Sequence, residues 1–194
     1  MQKEVKSSVQ SAVKQGPDST DYQIIECNFA GQGESVLSIF NQVILSSTAL
    51  YEYDPRTLTQ IEHWFEAKAA GNFPVLGMVN DSAELLAFGT FGSFRAYPAF
   101  KYTLEHSVYV AEEARGRGLG RAMIQALIER ATAADYHALI GAIDSANLSS
   151  CKLHQSLGFE RVGTLPQVGY KFGRWLDLAL YQLTLKTPLS PVDG

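Results

Sequence analysis

The chain has 194 residues, 46% apolar and 19% charged, with 16 Lys and Arg against 20 Asp and Glu, a formal charge of −4 at pH 7. That length suits one domain with short tails, and the apolar share is too high for a disordered chain. The mildly acidic balance argues against a nucleic-acid partner, which calls for a basic face, and no apolar run approaches the roughly 20 residues of a membrane helix.

Residues 1–20 are polar and broken at Gly16-Pro17-Asp18, and they read as a flexible extension with no hydrophobic signal segment. Cys27 and Cys151 are too few for a disulfide framework, so a reducing, cytoplasmic setting is expected. The domain proper is expected over 21–186, with a tail from 187 to 194.

Tyr22–Cys27 predicts a strand. From Glu34, Val36, Ile39, Phe40, Val43 and Ile44 share one helical face. Thr57 and Gln60 stand in capping-box spacing after Pro55, which predicts a second helix ending at Gly71. The period then changes. Phe73–Val79 and Glu84–Ser93 predict a hairpin turning at Asn80-Asp81-Ser82. A loop with Arg95, Tyr97 and Pro98 leads to a strand over Tyr102–Val110. A strong helical pattern follows from Leu119, then a strand over Ala138–Ile143 and a helix over Leu148–Leu157 closed by Gly158. Strands near Glu160–Gly169 and Trp175–Leu185 complete the order β-α-α-β-β-β-α-β-α-β-β, an α/β class with a mixed sheet and helices on its faces.

The turn Arg115-Gly116-Arg117-Gly118-Leu119-Gly120-Arg121, between a strand and a helix, offers unpaired N–H groups at a positive dipole end. Such a place binds phosphate. It lacks the Lys-Ser/Thr of a P-loop, and Arg121 stands where a dinucleotide fingerprint wants its third glycine.

Arg115-x-x-Gly118-x-Gly120, followed by Asn147-x-x-Ser150-x-x-x-His154-x-x-x-Gly158-Phe159, resembles the GNAT superfamily of acyl-CoA-dependent N-acetyltransferases over roughly residues 22–185. Thr103–Val110 and Val168–Asp177 more narrowly resemble the phosphinothricin and methionine sulfoximine N-acetyltransferases. The resemblance implies the GNAT fold, acetyl-CoA as co-substrate, no metal, a small amine or amino acid as acceptor, and a homodimer. It implies that Val108, Tyr109 and Val110 face the pantetheine, that the turn from Arg115 through Gly116, Arg117, Gly118, Leu119 and Gly120 to Arg121 takes the pyrophosphate, and that Asn147 and Ser150 contact the cofactor. It places Phe94, Arg95, Tyr97, Glu105, His106, Ser107 and Arg174 at the acceptor end, while Ala96 and Pro98-Ala99 depart from the bulkier or polar residues of that group.

The chemistry asks for a base, because an ammonium cannot attack a thioester before it loses a proton. By resemblance, Glu105, just ahead of the strand segment that faces the pantetheine, is the candidate. The thiolate then needs a proton, and the resemblance implies that His154, a His in the narrower group too, either donates one or orders a water. His106 alternates away from Glu105 in an ideal strand and carries no assigned role. Arg95 suits a carboxylate-bearing acceptor, since guanidinium and carboxylate pair two-pronged. Cys151 and His154 also invite an acyl-enzyme or metal reading. Direct transfer and a buried thiol fit better, because two ligands do not make a zinc site. A peptide N-terminus or a polyamine as acceptor, and a non-catalytic acyl-CoA sensor, stay open as alternatives.

Overall fold

The computed structural model describes residues 22–193, so the expected extension over 1–20 lies outside the described residues. The element order is the one expected: β1 (Gln23–Glu26), α1 (Phe29–Ser46), α2 (Leu58–Ala70), β2 (Val75–Val79), β3 (Leu85–Ser93), β4 (Thr103–Val110), α3 (Leu119–Ala133), β5 (Ala138–Asp144), α4 (Leu148–Ser156), β6 (Glu160–Lys171) and β7 (Arg174–Thr184). The strands form one seven-stranded sheet in the order β1-β2-β3-β4-β5-β7-β6. Among the described residues only the β4–β5 pair is parallel.

Helix α1 begins earlier than the apolar spacing suggests. Asn28 caps it, its side chain accepting from the Gly31 N–H at 2.9 Å, and the first turns run through Gly31 and Gly33. Those two glycines lower helix propensity without forbidding the helix. The capping box of α2 is present as read, with Thr57 and Gln60 bonding each other's backbone.

The apolar face of α1 seats Phe40 against Phe88 of β3 and Tyr109 of β4, with Trp64 of α2 alongside, at ring separations of 4.9–5.3 Å. Burial stabilises by about 1.5–3 kcal/mol for each such large side chain. On the other face of the sheet α3 lies close to β3. A Cβ on Gly89 would stand 2.7 Å from Met123 Cγ, so the missing side chain is what permits the approach. Odd-numbered residues of β4 therefore face α1, and even-numbered ones face the α3 and α4 side.

Candidate active site

The feature that makes a site is where β4 and β5 stop pairing. Their parallel register runs only from Thr103–Ala138 to Glu105–Ile140. Beyond it β4 stays paired to β3 as far as Val110, and β5 to β7 as far as Asp144, while the two strands part from each other. The opening is a cleft lined by His106, Val108, Tyr109, Gly141, Ser150 and His154, with Ala49 on its edge from the loop after α1. Inner strands with one side unpaired carry free backbone donors and acceptors, which suits a ligand bearing amides.

At the mouth of this cleft α3 begins. Gly116 and Gly118 hold φ of +76° and +79°, a region that side chains rarely adopt, and a Cβ on either would meet no protein atom within 4 Å. The first N–H groups of α3 have no partner inside the helix. Arg115 and Arg117 stand exposed beside them, while Arg121 donates to Ser156 Oγ at 2.7 Å and ties α3 to α4. Open space, free N–H groups and cationic side chains coincide, and this fits a pyrophosphate-bearing group such as acetyl-CoA. Asn147 is the N-cap of α4. Its Oδ1 accepts from the Ser150 N–H and the Ser149 hydroxyl, so any ligand contact falls to its amide nitrogen.

Glu105 sits on the last paired position of β4, half-buried, and faces the α1 side together with Ser107. Burial raises its pKa above the ordinary carboxylate value, and the Arg95 cation pulls it partly back. Arg95 is thus electrostatically within reach of Glu105. Its own guanidinium donates to the Phe94 carbonyl at 2.7 Å and lies 4.1 Å over the Phe94 ring. Tyr97 is fully on the surface.

His106 lies on the opposite face from Glu105, as strand alternation requires, and there it meets His154. The two Nε2 atoms are 3.0 Å apart, both residues are buried, and Phe159 packs against both rings at 5.2 and 5.1 Å. A Schellman turn places Phe159. The N–H groups of Phe159 and Gly158 donate to the carbonyls of His154 and Gln155, with Gly158 at φ +89°. Gly141 leaves room for the pair, since a Cβ there would come within 3.1 Å of both imidazoles. His154 Nδ1 stands 2.8 Å from the Ser150 carbonyl and therefore carries a proton. Its Nε2 is then an acceptor, and the short contact makes His106 the donor. Burial pushes the His154 pKa down, and the Ser150 carbonyl offsets part of that. Burial and then the neighbouring His154 push His106 to about 3.

Sequence reasoning did not find two further groupings. Asp144, buried at the end of β5, accepts from Thr48 Oγ1 at 2.6 Å, from the Ala146 N–H and from Arg174 Nη2 at 2.5 Å. Burial raises the Asp144 pKa, but Thr48, Ala146 and Arg174 together outweigh it and leave the carboxyl below its ordinary range. Arg174, expected at the acceptor end, borders a second, open cavity with Ser47, Thr48, Asp144, Asn147 and Phe172. The other grouping is Lys171, whose buried ammonium donates to the carbonyls of Ile44, Ser47 and Leu50 at 2.6–2.9 Å. The Cys151 thiol is buried, and among the described residues no cluster of three or more His, Cys, Asp or Glu side chains has the geometry of a metal site. No described helix is long and apolar enough to cross a membrane.

Comparison with known proteins agrees with this geometry. Residues 39–159 match the family model described as the acetyltransferase (GNAT) family. An L-methionine sulfoximine/L-methionine sulfone acetyltransferase from Pseudomonas paraeruginosa is 44% identical over 77% of this chain and 87% of its own. A phosphinothricin N-acetyltransferase from Alcaligenes faecalis is 34% identical over 78% of this chain and 77% of its own. Among solved structures, a GNAT superfamily phosphinothricin acetyltransferase from Sinorhizobium meliloti in complex with acetyl-CoA superposes with a TM-score of 0.84 at 28% identity, covering 89% of this chain and 93% of that one. With a parted β4–β5 pair, an anion-ready helix start and these relatives, the chain belongs to the GNAT family of acetyltransferases.

Proposed function

We propose that the protein transfers the acetyl group of acetyl-CoA to the α-amino group of a small amino-acid-like acceptor of the methionine sulfoximine or phosphinothricin type, by direct attack in a ternary complex. The observation that carries this reading is Glu105, a half-buried carboxyl of raised pKa at the point where β4 and β5 part, with the Arg95 cation in range. A carboxyl there is suited to take a proton from an incoming ammonium, whose pKa lies near 8 in the peptide reference, an assistance typically worth about 10²–10⁴-fold. Arg95 holds the acceptor's carboxylate. When bound, acetyl-CoA supplies the activated acetyl thioester. Gly116 to Arg121 hold its phosphates, Asn147 and Ser150 its flank, and the backbone of Val108 and Val110 its amide-bearing arm. An N–H of that strand also faces the carbonyl oxygen as charge develops on it. His154 serves the sulfur side.

The reading includes a cytoplasmic homodimer. The two buried free thiols support the compartment. Val162, Leu165, Val168, Tyr170 and Trp175, exposed on the β6–β7 hairpin, support a second copy covering that surface.

A CoA-release screen tests the function, with methionine sulfoximine, methionine sulfone, phosphinothricin, common amino acids and polyamines as acceptors. The sulfoximine, sulfone and phosphinothricin arms are expected to turn over fastest. Preference for polyamines would replace the acceptor class, and tight acetyl-CoA binding without turnover would put a sensor in the enzyme's place. Glu105→Gln is expected to lower kcat by about 10²-fold or more with acetyl-CoA affinity nearly intact, and unchanged turnover would remove Glu105 from the mechanism.

A further inference from the structure

His106 has no part in the roles above, yet it is bonded directly to a side chain that has one. Its Nε2 is 3.0 Å from His154 Nε2, and its Nδ1 is the buried side-chain nitrogen that lacks a hydrogen-bond partner among the described residues. A ring present only to fill space would be better apolar, since an unpartnered buried nitrogen carries a cost that carbon does not. Three elements cooperate to make the contact. β4 supplies His106, α4 supplies His154 with its Nδ1–H held by the Ser150 carbonyl, and β5 supplies the Gly141 gap through which the rings meet.

We propose that His106 is a positioning residue for acetyl transfer: acting through His154, its Nε2–H fixes that ring at the cleft wall with Nε2 as acceptor, so that the two rings present one movable proton between them. This rests on the reading of His154 as the group on the sulfur side. The proton count requires such a carrier. An ammonium bears three protons, the amide product bears one, and the CoA thiol takes one. Glu105 removes the remaining one to solvent. The proton bound for sulfur leaves nitrogen as the C–N bond forms and the C–S bond breaks. The imidazole pair takes up one proton and returns one, ending the cycle neutral as it began. With the extra proton aboard, His106 is protonated at the Nδ1 that now lacks a partner; burial and the neighbouring His154 oppose that charge more than the Ile140 backbone supports it, so the protonated pair is short-lived and returns its proton.

The titratable groups on the flanking elements are few. Tyr181 of β7 has its ring 6.0 Å from that of His154, Cys151 lies one turn earlier on α4, and Glu105 points to the opposite face of β4. No carboxylate forms an ion pair with either imidazole among the described residues, so the pair's charge state is set mainly by burial and by the two rings themselves.

The test combines imidazole ¹⁵N NMR of the ligand-free protein with steady-state kinetics. The wild-type spectrum is expected to show His154 as the Nδ1–H tautomer and His106 as the Nε2–H tautomer, with His106 not titrating between about pH 5 and 8. His106→Leu is expected to free His154 to exchange tautomers and to lower kcat about 10-fold or more with little change in the KM for acetyl-CoA. His106→Gln, which can again offer an N–H to His154 Nε2, is expected to restore the single tautomer and most of kcat. A His154 Nε2–H tautomer in the wild type overturns the proposal, and this reading stands even if the leucine variant fails to fold. A wild-type kcat–pH profile in His106→Leu, or a glutamine variant no better than leucine, overturns it too. His154→Phe separates the two levels: wild-type turnover there removes the role of His154 itself, whereas a slow His154→Phe beside a fast His106→Leu defeats only the role of His106.

Discussion

Glu105 works as a base only while ionised, and two opposed influences set when that is. Burial raises its pKa and Arg95 lowers it. Removing the cation in Arg95→Ala therefore leaves burial unopposed, and the acid limb of kcat/KM for the acceptor is expected to move to higher pH while the acceptor KM rises. A pH–rate profile of the variant checks this, and an unmoved limb would separate Arg95 from Glu105. Both residues were singled out in the sequence through family resemblance, and the electrostatic influence of Arg95 on Glu105 is consistent with that pairing. The imidazole pair was not legible there. Alternation correctly sends His106 away from Glu105, but what it meets there depends on a helix much later in the chain and on a glycine of a third element. Asp144 was missed for a similar reason: its partners Thr48 and Arg174 come from opposite ends of the domain.

The β6–β7 hairpin reaches back over the end of α1 through Lys171. Three carbonyls that helix geometry and the following loop leave free, those of Ile44, Ser47 and Leu50, converge on its ammonium. Burial lowers the Lys171 pKa and Glu52 counters it in part. Lys171→Met keeps the stem but strands the carbonyls, a loss of about 1–3 kcal/mol. Thermal unfolding is expected to show it as a fall of several degrees in Tm, and an unchanged Tm would mean that water replaces the ammonium freely. The loop so held includes Ala49 and Thr48, which line the two cavities. A lysine is seldom buried, so nothing in the local pattern marks this one. Caps were more readable than starts. The α2 box and the Gly158 stop follow from local residue types, whereas Gly31 and Gly33 disguised the first turn of α1.

Across the molecule, His106 and His154 both have pKa values below the ordinary histidine value near 6.5. The unfolded chain therefore binds protons before the folded one does. The contribution of the two histidines to stability is full above about pH 6.5 and falls as pH drops below it, by up to about 1.4 kcal/mol per pH unit for each histidine titrating only when unfolded. Urea midpoints across this range are expected to decline more steeply in the wild type than in His106→Leu, and equal slopes would show that His106 ionises in the folded state.

The residues after β7 fasten the closed end of the parted sheet. Thr187 donates to the Tyr136 carbonyl just ahead of β5 and its own carbonyl lies 2.8 Å from His137 Nδ1, while the Val192 backbone bonds the Tyr102 hydroxyl just ahead of β4. The tail thus spans the end where the two strands are joined, opposite the end where they diverge. It acts as a clasp: the chain that leaves β7 returns to hold the segments feeding β4 and β5 side by side at the closed end of the sheet.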